Sequence, residues 1–419
     1  QYFASFAVIN VLLFHQDAES EAIWPNLKED FIIMLYPNSH TPHLQKELFE
    51  SPTSEYRSTP FWAWNGKLNP ERLSEQIHFF KKMGFGGFHM HVRTGMDSPY
   101  LTEEFMDYIR HCIDEAKDNQ MLAWLYDEDR WPSGTAGGRV TAGKPEHARK
   151  SLLFTTTPYP EESLRKSQEP EAGRGQDNIR QENGVLLAIY DVTLNPDGTL
   201  KDFSFAEEKA PLPSGAVRWY AYMEYASADP WFNNQAYSDT LNPEAIDEFI
   251  ELTHEAYYKS VGSSFGRTVP AIFTDEPQFT PKQPLNFAAE QTDIFLPWTR
   301  ALPEIYEETY HENLLEHLPE LFWELPEGKL SAVRWRFENL VTDLFVKTYC
   351  RKIGDWCREH NLYLTGHVMG EGSLSDQTQA VGDAMRCYRA FVLPGIDMLC
   401  DFHEYTTAKQ LSLIHISEP

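Results

Sequence analysis

Positive charge is what this 419-residue chain has least of: 36 Lys and Arg stand against 63 Asp and Glu, a formal net charge of −27. A polyanion requires clustered Lys and Arg to neutralise its phosphates, so nucleic acid is the wrong partner. An anionic membrane face is disfavoured for the same reason. Cysteine is scarce as well. Cys112, Cys350, Cys357, Cys387 and Cys400 are too few and too scattered for a disulfide scaffold, and the seven-residue step from Cys350 to Cys357 is not a zinc spacing. Reduced, buried thiols and a cytoplasmic setting are therefore expected. The apolar run Tyr2–Phe14 is too short to span a bilayer, and it lacks the basic region and cleavage site of a signal peptide. No Gly-rich phosphate signature follows a strand pattern, which weakens a nucleotide-binding reading.

What remains is a globular composition, 42% hydrophobic and 24% charged, with 11 Trp and 20 Tyr. Such aromatic content serves either a well-packed core or a sugar-binding cleft. The two ends are set aside. Residues 1–50 read as an unreliable or non-native segment. Residues 411–419 (LSLIHISEP) resemble a translated sequencing adapter, so the fold is expected to be cut near Gln410.

Between those ends, strand and helix patterns alternate. Pro60–Trp64 reads as an aromatic strand. Asn69-Pro70 then caps and opens a helix through Leu73, Ile77, Phe80 and Met83, stopped at Gly84. Strands are expected at Gly87–Val92, Met121–Tyr126, Ala271–Thr274, Tyr363–His367 and Ile396–Phe402. Helices are expected at Glu103–Ala116, after Asn242-Pro243, and over Val333–His360. This order predicts parallel pairing with right-handed crossovers. A C-terminally truncated (β/α)8 TIM-type barrel over residues 51–410 is favoured over a doubly wound sheet, because nearly every strand ends in polar, reactive residues. Residues 150–230 interrupt the alternation. Glu161–Gly184 reads as a charged loop, while Val185–Val192 and Val217–Tyr225 read as strands of a small β subdomain over the barrel mouth, inserted between strands three and four.

The chemistry lies in carboxylates at strand ends: Asp127-Glu128-Asp129, Asp275-Glu276, Glu371, and Asp401 with Glu404. Acids gathered at one mouth push one another's pKa values apart, so that one carboxyl donates a proton while another accepts one. Any one of them alone is more readily a solvated loop charge or a helix cap; four clusters at successive strand ends are harder to explain that way.

The segments Pro60-Phe-Trp-Ala-Trp-Asn-Gly66, Met83-Gly-Phe-Gly-Gly-Phe88, Trp124-Leu-Tyr-Asp-Glu128 and Trp131-Pro-Ser-Gly134 resemble family 106 glycoside hydrolases, the α-L-rhamnosidase family. Pro230-Trp-Phe-Asn233, Asp239-Thr-Leu-Asn-Pro243 and Phe273-Thr-Asp-Glu-Pro277 are similar too, and the resemblance covers about residues 57–405. His89-Met90-His91-Val92-Arg93 departs from it, which leaves other glycosides open. The resemblance implies an inverting, calcium-assisted glycosidase on a (β/α)8 barrel, with an oligosaccharide or glycoside as its partner. It implies Glu276 as the acid and Glu404 as the base, with Glu371 as competing base or calcium ligand. Substrate contacts are expected from Trp64, Asn65, His89, His91, Arg93, Asp127, Glu128, Trp131, Trp231, Asn233, Asp275, His367 and His403.

Two rivals stand beside this reading. His89 and His91 fall on one face of a strand, as in metal-dependent barrel hydrolases, and His367, His403 and Asp401 would complete such a site. Packed or sugar-contacting histidines remain the simpler account. A non-catalytic sugar-binding protein would keep Trp62, Trp64, Trp124, Trp131 and Trp231 without needing the acids.

Overall fold

The computed structural model describes residues 45–160, 178–397 and 405–414. The expected loop Glu161–Gly184 falls mostly outside the described residues, as do Cys400, Asp401, His403 and Glu404.

Two sheets organise the chain. Six parallel strands follow one another in the order β1 (Phe61–Trp64), β2 (Gly87–Val92), β3 (Leu122–Tyr126), β8 (Ala271–Asp275), β10 (Tyr363–His367) and β11 (Leu393–Pro394). Five antiparallel strands form the second sheet: β4 (Lys150–Thr155), β5 (Val185–Leu194), β6 (Leu200–Phe205), β7 (Val217–Tyr225) and β9 (Ile294–Trp298), in the order β6-β5-β7-β4-β9. The fold is thus mixed α/β with helical crossovers between parallel strands. A closed eight-stranded barrel is not formed by the described residues, and β1 and β11 are the two edges of the parallel sheet.

Local sequence accounts for the crossovers. Asn69 accepts a hydrogen bond from the Arg72 N–H at 3.0 Å, Pro70 opens the helix Pro70–Met83, and Gly84 closes it in the left-handed region at φ 89°. Leu73 and Ile77 are buried, whereas Met83, in the last turn, is exposed. Thr102 caps Glu103–Asp118, whose Phe105, Ile109 and Ile113 are buried, and Asn242 caps Pro243–Leu252. The helical run expected over Val333–His360 is continuous but not uniform: Ala332–Phe345 and Lys352–Glu359 are joined by a π-helical stretch at Val346–Arg351.

Period-two alternation gives the parallel sheet two different faces. Trp62, Phe88, Met90, Leu125, Ile272 and Leu364 point outward into one large core shared with the helices. Trp124, Ala271, Tyr363 and Leu393 pack together on the other face. Close strand pairing there depends on Gly366, at φ +132°, because a Cβ at this position would overlap the Thr274 carbonyl oxygen. The four described cysteines are buried free thiols in the helix-side core.

Two expectations are corrected. The sixth strand begins three residues before the expected Ile396 and spans Leu393–Pro394; residues 395–397 are irregular, and 398–402 lie outside the described residues. The antiparallel sheet is also not confined to residues 150–230, since its edge strand β9 comes from beyond β8. Pro297 inside that strand hid it in the sequence, and an edge position is where a strand tolerates proline.

A buried ion pair ties the antiparallel sheet to the segment that opens the helix Pro243–Leu252. Lys150 Nζ on β4 lies 3.0 Å from Asp239 Oδ2, just ahead of the helix Pro243–Leu252, with both side chains 2% exposed. Lys150 also donates to the carbonyls of Glu146 and Ala148, while Asp239 accepts from the Thr299 hydroxyl and the Leu241 N–H. Removing one partner strands the other charge in the core. Lys150→Met is expected to cost about 3–5 kcal/mol of stability, read as a lowered urea-unfolding midpoint.

Candidate active site

The inner face of the parallel sheet carries the polar cluster. His89 and His91 on β2, Tyr126 on β3, Asp275 on β8 and His367 on β10 share it by the two-residue period, with Phe61 and Phe273 between them. At its centre is Asp275, 6% exposed. One oxygen accepts the Tyr126 hydroxyl at 2.8 Å and lies 3.7 Å from His91 Nε2, and the other lies 3.1 Å from His367 Nε2. Burial opposes the charge, but His367 and His91 hold the Asp275 carboxyl well below the usual range. Burial likewise works against the His367 imidazolium, yet Asp275 and Glu371 raise its pKa to about 10. His89, by contrast, is wholly buried, and desolvation with the neighbouring His91 drives its pKa down to about 3.

Glu276 follows at once, with its backbone in the left-handed region at φ 48°, an unusual conformation for a residue with a side chain. Its N–H donates to the His367 carbonyl at 3.1 Å, so the turn that aims the carboxyl is fixed by β10. Burial raises Glu276 to about 7; Asp275, Asp397 and Glu371 add to this and His367 opposes it. Adjacent carboxyls thus differ at neutral pH, Asp275 ionised and Glu276 retaining its proton in a substantial fraction of molecules.

Glu371 closes the far side. Its Oε1 accepts the Asp397 N–H and lies 3.5 Å from His367 Nδ1, and its Oε2 accepts the Tyr388 hydroxyl at 2.5 Å. Burial lifts it to about 6. Calcium takes about six to eight oxygen ligands. Among the described residues the grouped metal-capable side chains are Asp275, Glu276 and His367, two carboxylates and an imidazole already paired with Asp275. With an imidazole and only two carboxylates, that set does not fit calcium. Nor does it contain His89 and His91 as a ligand pair.

Several expected contacts lie elsewhere. Trp64 points outward, 2% exposed, and packs edge-on against Trp62 and Phe105, so it belongs to the helix-side core. Glu128 is wholly buried, and its two oxygens accept five backbone N–H groups, from Asp129, Gly134, Thr135, Ala136 and Gly137. It shapes the loop after β3 and presents no free oxygen to a substrate. Asp127, also wholly buried, accepts the Ser133 hydroxyl at 2.6 Å, and Ser133 in turn accepts the Asp275 N–H. Asp127 therefore supports the β8 end from behind. Asn65 is exposed beyond β1, and Arg93 is half-buried beyond β2. Trp131 and Trp231 pair at the rim, ring centroids 4.8 Å apart, with the Trp231 indole N–H donating to the Trp131 carbonyl. Asn233 ties that rim to Asp129 and Gly137. Glu404 and His403 lie outside the described residues.

The structure adds residues that the sequence reading passed over. Tyr126 was legible from its two-residue spacing to Trp124 on the same strand. Asp397 and Tyr388 were not, because they reach Glu371 only through the loop and helix around β11.

No family model and no curated protein matches the chain. Among solved structures, a rhamnosidase from Novosphingobium sp. PP1Y superposes over 82% of this chain and 48% of its own, with a TM-score of 0.50 and 14% identity. This chain thus spans about half the length of that rhamnosidase. The likeness is one of fold. A polyextremophilic β-galactosidase from the Antarctic haloarchaeon Halorubrum lacusprofundi matches over 79% of this chain and 38% of its own, at 11% identity, and its TM-score of 0.34 carries no argument. Among the described residues no helix is long and apolar enough to cross a membrane.

The Asp275–His367 pair makes a titration prediction. His367 has its pKa raised to about 10 from an ordinary 6.5, so its contribution to stability is complete below about 6.5 and disappears as pH climbs through 10. In NMR titrations, Asp275→Asn should move the His367 midpoint down. The urea midpoint of the unmodified protein should fall more steeply between pH 6.5 and 10 than that of the variant.

Proposed function

We propose that the protein is a glycoside hydrolase acting on a terminal α-L-rhamnoside or a similar glycoside. The observation that carries this reading is the pair of adjacent carboxyls on β8, one held ionised and the other with its pKa raised to about 7. A carboxyl still partly protonated near neutrality is what a leaving glycosidic oxygen requires. The fold likeness to a rhamnosidase supports the same class, as does the rim of paired tryptophans.

In the proposed reaction the Glu276 proton passes to the glycosidic oxygen as the bond from that oxygen to the anomeric carbon breaks. Water adds to the opposite face of the same carbon, and a carboxylate takes the water's proton. The resemblance assigns this base to Glu404. Asp397 is the alternative that the described residues offer, for its Oδ1 is buried without a hydrogen bond and its charge acts on Glu276. Glu371 is engaged on both oxygens and orients His367 instead. A base remote enough to leave room for water implies inversion, with a carboxyl separation of about 6.5–9.5 Å.

The grouping of Asp275, Glu276 and His367 supports a second reading, a metal-dependent hydrolase. Stoichiometric bound zinc in purified protein would favour it, and its absence would leave the glycosidase.

On the glycosidase reading, Glu276→Gln should lower turnover of an aryl α-L-rhamnoside by about 10²–10⁴-fold with an unchanged unfolding midpoint. Activity should fall as pH rises through about 7, where Glu276 loses its proton. Near-normal turnover in the variant would remove Glu276 from the mechanism. Proton NMR of the first-formed sugar reports inversion, and Glu404→Gln compared with Asp397→Asn identifies the base.

A further inference from the structure

Beyond the end of β2 lies a cavity of about 250 Å³, walled by the loop after β2, the loop after β3 and Asn233. Its chemistry is opposite to that of the molecule. Three guanidinium groups, Arg93, Arg130 and Arg139, face a single carboxylate, Asp129, in a chain that otherwise carries a net −27. Asp129 is neutralised within the wall. Its Oδ2 lies 2.9 Å from an Arg130 nitrogen and accepts from Asn233 Nδ2 at 2.9 Å. Arg130 and Asp129 therefore form the floor of the cavity as a closed pair.

Arg93 and Arg139 are different. Arg139, exposed at the cavity mouth, gives one hydrogen bond to the Tyr100 carbonyl, at 2.6 Å, which orients the guanidinium and leaves its other donors to solvent or a ligand. The Arg93 side chain makes no hydrogen bond or ion pair with any described residue, although it is half-buried. A guanidinium presents five N–H donors in a planar fork that matches a carboxylate in bidentate fashion. Two such forks with open donors on one cavity wall are poorly explained as scaffold, because Arg130 already shows what a scaffolding arginine does here.

The cavity also adjoins the chemistry. Arg93 stands two residues beyond His91 at the end of β2, and His91 is in turn 3.7 Å from Asp275. The Arg93 charge reaches Asp397, which acts on Glu276. Trp231, with its ring centroid 5.9 Å from the Arg130 guanidinium carbon, extends the same wall with an aromatic face.

We infer that this cavity binds the carboxylate of a uronic acid, carried on the sugar next to the bond that is cleaved, with Arg93 and Arg139 as its ligands. The substrate class is then an acidic oligosaccharide and not a neutral glycoside. That statement of substrate rests on the glycosidase reading; binding of the acid does not.

Calorimetric titration of the 419-residue chain with D-glucuronate, D-glucose and inorganic sulfate separates the cases. Glucuronate should bind about tenfold or more tightly than glucose, and added salt should weaken it. Arg93→Gln and Arg139→Gln should each remove most of that preference, while Arg93→Lys keeps part of it. Equal affinity for glucuronate and glucose overturns the inference. So does a preference that survives in both glutamine variants, or sulfate binding more tightly than glucuronate. A rhamnosyl-glucuronate tested against its carboxyl-reduced counterpart then reads kcat/KM, with the acid preferred. Glucuronate binding without hydrolysis of either disaccharide would sink the glycosidase reading and leave the acidic pocket standing. Hydrolysis with no preference for the acid would do the reverse.

Discussion

Asp275 is the constraint on which the site depends. A carboxylate with 6% exposure is costly to charge unless its partners are fixed. Here they come from three other parallel strands: His91 from β2, Tyr126 from β3 and His367 from β10. Strand pairing alone brings these groups together, since His367 is in direct register with Asp275 and Phe273 with Tyr126. The partners therefore meet Asp275 only when the sheet is formed, and their pairing holds the strand ends in place.

The consequences spread outward from that charge. Burial first, and then the charge of Asp275, keep the next carboxyl along, Glu276, protonated to higher pH, against the opposing pull of the His367 imidazolium. Glu371 is held against His367 by Tyr388 and the Asp397 N–H, so the group nearest the imidazolium is itself fixed. Behind β8, Asp127 and Ser133 brace the backbone of Asp275, and Glu128 gathers the following loop around its two oxygens. Acids that look equivalent in sequence therefore divide into groups that do chemistry and groups that hold the loop in shape. Burial alone does not separate the two sets. Their partners differ: five backbone N–H groups occupy the Glu128 oxygens, whereas side chains from other strands hold Asp275.

The antiparallel sheet stands apart from this cluster in its chemistry but not in its attachment. Lys150 and Asp239 join it to the segment that opens the helix Pro243–Leu252, in a fully buried pair. The motif Asp239-Thr-Leu-Asn-Pro243 thus owes its residues to the fold: an acid for Lys150, then a cap and a proline for the helix. The loop after β3, by contrast, serves both ends. Its Glu128 side chain is structural, while its Arg130 and Arg139 side chains line the cavity next to the site.

How much of this was legible in the sequence follows from the range of the forces involved. Local rules determined the alternation of strands and helices, the Asn69, Thr102 and Asn242 caps, the Gly84 stop, and the common face of His89 and His91, because each depends on residues within a turn or a strand period. The sequence also pointed to the strand-end acids, Glu276 among them. It did not determine which side of the sheet Trp64 faces, since an aromatic serves an outer core as well as a cleft. It misplaced the strand before Asp397, because a two-residue strand has no period to read. It missed β9 because a proline masks an edge strand that only a distant partner, β4, calls into being. Which acid is charged, which is protonated and which arginines have open donors were decided by tertiary structure alone. Those properties arise from contacts between residues far apart in the chain, such as His91 with Asp275 and Asp275 with His367, and from burial that no local pattern encodes.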